Sequence, residues 1–437
     1  MIRVAVKLYR AATSVASLPT SRTTGRLPFS LPRPFRLLHD GINGADANPV
    51  ALQMINYAIS HARSQKSDES YAQGLLILEQ CLSTQSSDVP DAENSRGLVF
   101  LAMSTLLSER GDFGEAIEKL QRIQDLKHSS LGVKVAAMEA LVGLHLELGQ
   151  DDTSTVISDN CLELVDKYVP KAGGGNPLVL SVRAKAAKGL VELVRGDLQL
   201  AETFLQGREE NEGSTGSVVL SYGEFLHATQ NLSLAKEIYQ KVIQGVAENK
   251  DFSDLNALAA CNMSSAEVLL AATCALGQLE AHMGNFGDAE EILTRALSTA
   301  EDHFGSHHPK VGAVLTCIAL MFRRKAMQER SSSLLIQEGL YRKAIELLKA
   351  PQLETDGCLF LVDQEAKVDR SDIVVLARGG YAEALCVQQN RKAEGEKMKT
   401  WAEAAWRNSR LSLAEALEIS ESSSKVPVID ARTCRAL

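Results

Sequence analysis

The sequence has few of the features that mark membrane proteins, disulfide-rich proteins or metal-binding modules. Aromatic residues make up 5% of the chain and there are 11 prolines. No apolar run approaches the roughly 18 residues that a membrane-spanning helix needs. The eight cysteines contain no Cys-x-x-Cys pair, and most of them lie within apolar helical patterns, where a free thiol behaves as a small buried hydrophobe. These absences predict a soluble chain in a reducing compartment, without a transmembrane segment.

Acidic residues are missing from the amino-terminal region. Residues 1–38 contain seven Lys and Arg residues and no Asp or Glu. Arg3, Lys7 and Arg10 fall on one face of a predicted helix, with apolar residues covering much of the rest. This composition is typical of an organellar transit peptide. We therefore predict a transit peptide over 1–38 and a linker over 39–48, with the protein in the mitochondrial matrix or on its matrix side. Plastid import and a basic tail without a targeting role are the alternatives.

The remainder of the chain is strongly acidic. Without residues 1–38 the 46 basic residues fall to 39 against 55 acidic residues, a net charge of −16. Nucleic-acid affinity depends largely on Lys and Arg, because they neutralise phosphates. The sequence therefore predicts no nucleic-acid partner.

A helix–turn–helix pattern recurs along the chain. Each copy has a Gly or Gln, an Asp or Asn, an apolar residue and, five positions after the first, an Ala that opens the second helix. A glycine there permits the left-handed conformation that ends a helix, and the Asp or Asn caps the next helix. The Ala lets the two helices cross closely. The clear copies are Gly111–Ala116, Gly196–Ala201, Gln230–Ala235 and Gly284–Ala289, and weaker turns follow Gly149 and Gly339.

These turns resemble those of tetratricopeptide repeats. The stretch Gly277–Val311, which includes Phe304-Gly305 and His307-His308-Pro309, is similar to the longer repeat of kinesin light chains. The resemblance implies an all-α fold, a right-handed α-solenoid of about eight antiparallel helix hairpins over residues 49–418. Residues 419–437, which begin with a serine-rich run, are predicted to be a disordered tail.

No constellation for catalysis stands out. The only glycine cluster, Gly173–Gly175, lacks the Lys-Ser/Thr of a phosphate loop. His303, His307 and His308 have no cysteine or second cluster nearby in sequence that would complete a metal site. We predict no catalytic, cofactor-binding or metal-binding residues, and hence a protein that is not an enzyme.

The family resemblance implies that first helices line an extended binding groove. Projecting the repeat register places ten candidate residues there, mixing apolar and acidic character. This mixture suits a helix or an extended basic segment rather than a free carboxylate. The predicted function is a protein-binding scaffold or adaptor in mitochondria, an assembly factor or accessory subunit of a larger complex. An organellar RNA-binding helical repeat is the alternative, and the sequence leaves the partner and the oligomeric state open. The candidate groove residues are Leu101, Thr105, Glu109, Glu139, Arg183, Leu220, Glu224, His227, Gln278 and His282.

Overall fold

The structure is a computed structural model that describes residues 47–85, 90–168, 177–206, 216–248, 258–350, 371–417 and 425–437. The predicted transit peptide and most of the predicted linker lie outside these ranges. Helices dominate the described residues, with one 3-10 turn at Cys261–Met263 and one two-stranded sheet, β1 (Ile429–Asp430) and β2 (Arg435–Ala436). The α-helices are α1 (Pro49–Gln65), α2 (Asp68–Thr84), α3 (Pro90–Arg110), α4 (Phe113–Gln124), α5 (Leu131–Glu147), α6 (Asp151–Tyr168), α7 (Pro177–Arg195), α8 (Leu198–Leu205), α9 (Gly216–Ala228), α10 (Leu232–Glu248), α11 (Ser265–His282), α12 (Phe286–Phe304), α13 (Pro309–Glu329), α14 (Leu334–Leu347), α15 (Ser371–Cys386), α16 (Lys392–Ala405) and α17 (Leu413–Ala416).

Consecutive helices pack in pairs from α1·α2 to α15·α16, which makes eight hairpins among the described residues. The first helices of neighbouring hairpins also pack against one another, from α1·α3 to α13·α15. This arrangement is that of an α-solenoid, so the predicted all-α helical-repeat fold is confirmed.

The hairpin turns adopt the conformation that their residues predict. Gly111, Gly149, Gly196 and Gly284 have φ values of 86°, 69°, 82° and 84°. Only glycine enters this left-handed region without steric cost, so these positions end the first helix of their hairpins. Gln230 takes the same place in the fifth hairpin with φ of 66°.

Small residues bring the two helices of a hairpin together. The alanines of the turn pattern, Ala116, Ala201, Ala235 and Ala289, are fully buried. On the facing helices, a Cβ added at Gly189 or Gly277 would lie 2.6 Å from the side chain of Leu205 or Leu293. A larger residue at either place would force the helices apart.

One predicted turn is misplaced. The sequence predicts a long first helix from about Val311 to Gln328 and a turn at Gly339. The helix does end at Glu329, but Gly339 lies inside α14, which begins at Leu334. The turn lies instead at Arg330, whose φ is 50° and whose backbone N–H completes the cap of α13. The pattern failed here because a non-glycine residue occupies the left-handed position.

Distant parts of the solenoid also meet. The Lys66 ammonium, after α1, donates to the carbonyl oxygen of Asp302 in α12. His308, at the start of α13, lies 2.9 Å from the carbonyl oxygen of Glu109 in α3. The first two hairpins therefore touch the sixth and seventh, and the row of first helices curves back on itself.

The described part of the predicted disordered tail is ordered. Residues 428–437 are buried without exception, and β1 and β2 pair as an antiparallel hairpin with Ile429 opposite Ala436. The serine-rich part of the prediction, 419–424, lies outside the described residues. Burial of Val428, Ile429 and Leu437 supplies the apolar contact that the serine-rich start of this region does not suggest.

Candidate functional site

The face lined by the first helices is filled by the chain itself. We call this face the groove, and the segment 425–437 that occupies part of it the C-terminal hairpin. The hairpin reaches side chains or carbonyl groups of α5, α9, α11, α13 and α15. Because a segment this short touches five first helices, those helices surround it and the face is concave.

The hairpin is held in a tight turn by its own aspartate. The Asp430 carboxylate accepts hydrogen bonds from the backbone N–H of Arg432, at 2.8 Å, and from the Thr433 hydroxyl, at 3.0 Å. Cys434 has a φ of 56°, which turns the chain back toward β2. The turn therefore presents the two arginines that flank Thr433-Cys434 to different walls of the groove.

Arg432 is fully buried against α9. Its guanidinium lies 2.5 Å from the Glu224 carboxylate and donates to the Ser217 and Ser221 hydroxyls at 2.9 and 3.2 Å. Burial raises the pKa of Glu224 well above its usual value, and the charge of Arg432 opposes that rise. Arg432 also lies 3.1 Å from the Asp430 carboxylate, so one guanidinium faces two carboxylates that have no solvent access.

Arg435 is buried between α6 and α15. Its guanidinium donates to Asp372 at 2.8 Å, to both oxygens of Asp151 at 2.6 and 2.9 Å, and to the Leu146 carbonyl at 2.9 Å. The fork of donors on an arginine suits such bidentate pairing with a carboxylate. Asp372 also accepts from the backbone N–H of Ala436 at 3.1 Å.

Other groove side chains bind the backbone of the hairpin. The Gln278 amide accepts from the N–H of Ile429 at 2.8 Å and donates to its carbonyl at 2.9 Å. Lys310 donates to the carbonyls of Ala431 and Arg432, at 3.1 and 2.5 Å. Such contacts hold a polypeptide by groups that every sequence provides.

A second segment, residues 258–264 between α10 and α11, fills the other half of the groove. The Leu258 carbonyl accepts from Arg183 at 2.7 Å, and the backbone N–H of Cys261 donates to Thr105 at 3.1 Å. Asn262 donates to the Glu147 carboxylate at 3.2 Å. We call this stretch the internal segment. It contains no Asp, Glu, His, Lys or Arg, and it meets the groove through neutral groups.

Three charged side chains lie where the two halves meet. Lys310 sits 3.5 Å from both Glu147 and Glu267. Burial raises the pKa of Glu267 to about 7; Lys310 lowers it, and Glu147 and Glu109 raise it further. Two buried carboxylates thus share the single ammonium group of Lys310.

All ten predicted groove residues lie on first helices, but they do not converge on one ligand. Glu224 and Gln278 contact the C-terminal hairpin, and Thr105 and Arg183 contact the internal segment. Leu101 and Leu220 lie in the apolar core.

The other four predicted residues pair within the walls. Glu139 accepts from Arg183 at 3.0 Å. Glu109 accepts from Arg63 at 2.5 Å and from the Tyr71 hydroxyl at 2.9 Å. His227 lies 2.8 Å from His282, and burial lowers the pKa of His227 well below its usual value, which keeps the ring neutral.

Sequence reasoning missed Asp151, Asp372, Lys310 and both arginines of the hairpin. Asp151 and Asp372 occupy first turns of helices, where an acidic residue is expected for its favourable interaction with the helix dipole and attracts no further notice. The hairpin did carry a signal, because Val426, Val428 and Ile429 are more apolar than a disordered tail.

The groove beside the hairpin is nearly full. A cavity of about 20 Å³ borders Pro427 and Ile429, with Gln278, His282 and Arg324 among its lining residues. That volume holds about one water molecule. Over the residues that the structure describes, no cluster of His, Cys, Asp and Glu is arranged to hold a metal ion. No helix in those ranges is long and apolar enough to cross a membrane.

Fold and groove together define an all-α helical-repeat protein whose first helices enclose segments of the same chain. No protein-family model matches the sequence, and no curated protein matches it. Among solved structures, the crystal structure of BtubC (BKLC) from P. vanneervenii matches with a TM-score of 0.40 and 10% sequence identity. The match covers 63% of this chain and 95% of that one.

Proposed function

We propose that this chain is a tetratricopeptide-like scaffold or adaptor that binds protein partners in mitochondria. In such a role it would serve as an assembly factor or accessory subunit of a larger complex. The observation that carries the proposal is the C-terminal hairpin, a peptide segment bound by side chains from successive first helices. A groove that orders one polypeptide segment by backbone hydrogen bonds and ion pairs has the chemistry to bind another.

The mitochondrial part of the proposal depends on the composition of residues 1–38. The RNA-binding alternative is weakened by the charges of the groove, where Glu224, Asp372 and Asp151 take up the arginines of the hairpin. Carboxylates at these positions would repel phosphates rather than bind them. No catalytic step is part of the proposal.

Affinity purification of the tagged full-length chain from isolated mitochondria, followed by mass spectrometry, tests this function. We expect a protein recovered in stoichiometric amount, and a mature chain that begins near His39. Recovery with RNA and no protein would favour the alternative. A chain that keeps Met1 and stays in the cytosol would refute the proposed location.

A further inference from the structure

The C-terminal hairpin and its half of the groove are related as a ligand and its binding site. Building on the proposed protein-binding function, we propose that the partner presents a turn with two arginines three positions apart, and that residues 425–437 occupy the partner's site in cis until the partner displaces them.

Displacement follows from the packing of the groove. Residues 428–437 are buried, and the cavity beside them holds about one water molecule. Among the residues that the structure describes, this cavity is too small for a second polypeptide beside the hairpin, so a partner that binds the same side chains must replace it.

The arginine requirement follows from the charges that the hairpin would leave behind. Glu224 and Asp372 are 0% and 2% exposed, and the hairpin supplies the guanidinium group that lies against each of them. A buried carboxylate without a cation is strongly unfavourable. An incoming segment without matching cations would therefore bind far less well than the hairpin that it must displace.

The spacing follows from the turn. Arg432 points to Glu224 on α9 while Arg435 points to Asp372 on α15 and Asp151 on α6. The bend between them, fixed by Asp430, is what allows both to be reached at once. The contacts from Gln278 and Lys310 go to backbone groups and place no demand on the partner's sequence.

Peptide exchange tests the inference on the full-length protein. A protease recognition sequence is inserted between residues 418 and 424, and the folded chain is cut there, leaving fragment and body associated. The probe is a fluorescein-labelled peptide with the sequence of residues 425–437, followed by fluorescence anisotropy. A short tether gives an effective concentration of about 1 mM. We therefore expect the cut protein to take up the probe at least ~10-fold more tightly than the intact chain.

Two altered probes identify the groups that are recognised. A probe with both Arg432→Ala and Arg435→Ala should bind at least ~30-fold more weakly, since each arginine belongs to a buried charge pair. A probe with Lys425→Ala is the matched control, because the Lys425 side chain is 47% exposed and its contacts with Glu415 at 3.7 Å and with the Arg410 carbonyl at 2.6 Å lie at the surface. It should bind within about fivefold of the unaltered probe.

Two results would overturn the inference. If the cut protein keeps its fragment and takes up no probe, the hairpin is a permanent part of the fold. If cut and intact proteins bind the probe equally, the probe binds elsewhere. Failure of the proposed function looks different, because the probe would exchange while no protein copurifies from mitochondria. If a protein copurifies but does not displace the probe, the proposed protein-binding function stands. The proposal that the partner binds through two arginines would then be refuted.

Discussion

The two segments that fill the groove are held by different chemistry. The internal segment, 258–264, meets the groove through neutral groups, and the charged residues near it pair within the walls, as Arg183 does with Glu139. The C-terminal hairpin instead supplies cations to carboxylates of the walls, with Arg432 on Glu224 and Arg435 on Asp372.

The difference indicates which half of the groove depends electrostatically on its occupant. Loss of the internal segment would leave Arg183 and Glu139 paired to each other. The groove surface newly exposed to solvent would be mainly apolar, with a few neutral hydrogen-bonding groups. Loss of the hairpin would leave the buried carboxylates of Glu224 and Asp372 without the guanidinium groups that lie against them. The hairpin half of the groove therefore requires positive charges on the segment that fills it. The internal half depends more on how closely its segment packs.

The largest effect should come from removing the cation of the hairpin. We expect Arg432→Ala to lower the free energy of unfolding by about 3–5 kcal/mol, because Glu224 loses its compensating charge in a site without solvent. Urea unfolding of the full-length chain measures the change.

Glu224→Gln combined with Arg432→Ala is the control for this prediction. The double variant should recover part of the loss, since Glu224 no longer needs a cation; the rest of the loss should remain because buried Asp430, 3.1 Å from Arg432 in the wild type, also loses this partner. A single-variant loss below about 1 kcal/mol would mean that the two halves do not differ in the way described.

The junction between the halves should contribute to the pH dependence of stability. The pKa of Glu267 is about 7 in the fold against 4.5 for the ordinary group, so folding takes up a proton between these values. Stability from this group is therefore highest at low pH and falls as pH rises from 4.5 to about 7. The full difference corresponds to about 3 kcal/mol.

Glu267→Gln should remove that part of the pH dependence while keeping the shape of the side chain. Urea unfolding at pH 5 and pH 8 compares the variant with the wild type. Because Glu224 is also buried with a raised pKa, a smaller slope of the same sign should remain. An unchanged slope would show that Glu267 stays ionised throughout.

The internal half should respond to shape. In α5, an added Cβ at Gly143 would collide with the Asn262 amide oxygen and lie 2.6 Å from the terminal carbon of Met263. We expect Gly143→Ala to destabilise the protein by about 1–3 kcal/mol, measured by thermal unfolding. Gly132→Ala in the same helix is the matched control, because nothing lies within 4 Å of its added Cβ.

Gly132→Ala should leave stability unchanged or raise it by less than ~1 kcal/mol, following helix propensity. If both alanine variants behave alike, the internal segment is free to move away from α5. In that case its half of the groove would not depend on close packing.

The repeats could be predicted from the sequence because their signals are local. Gly111-Asp112 and Gly284-Asn285 specify a turn within a few residues, and the register of the helices then selects the face that carries Glu224 and Gln278. The ten predicted groove residues all lie on first helices for this reason.

What fills the groove could not be predicted in this way. Arg432 meets Glu224 over a separation of 208 residues, and Cys261 meets Thr105 over 156. No periodic pattern marks such pairs, and each partner taken alone looks like an ordinary surface charge or a polar helix residue. Only the apolar character of Val426, Val428 and Ile429 hinted that this region packs against something.

The smallest predicted effect lies outside both halves and tests the one misplaced turn. If Gly339 ended a helix in the left-handed conformation, alanine there would be strained and destabilising. The structure instead places Gly339 inside α14 with nothing within 4 Å of an added Cβ. Gly339→Ala should therefore stabilise the protein by about 0.5–1 kcal/mol, the difference in helix propensity, detected by urea unfolding. Gly284→Ala, at a φ of 84°, is the comparison variant and should destabilise it. A loss of stability at both positions would restore the turn to Gly339 and shift the start of α14 toward the carboxyl end.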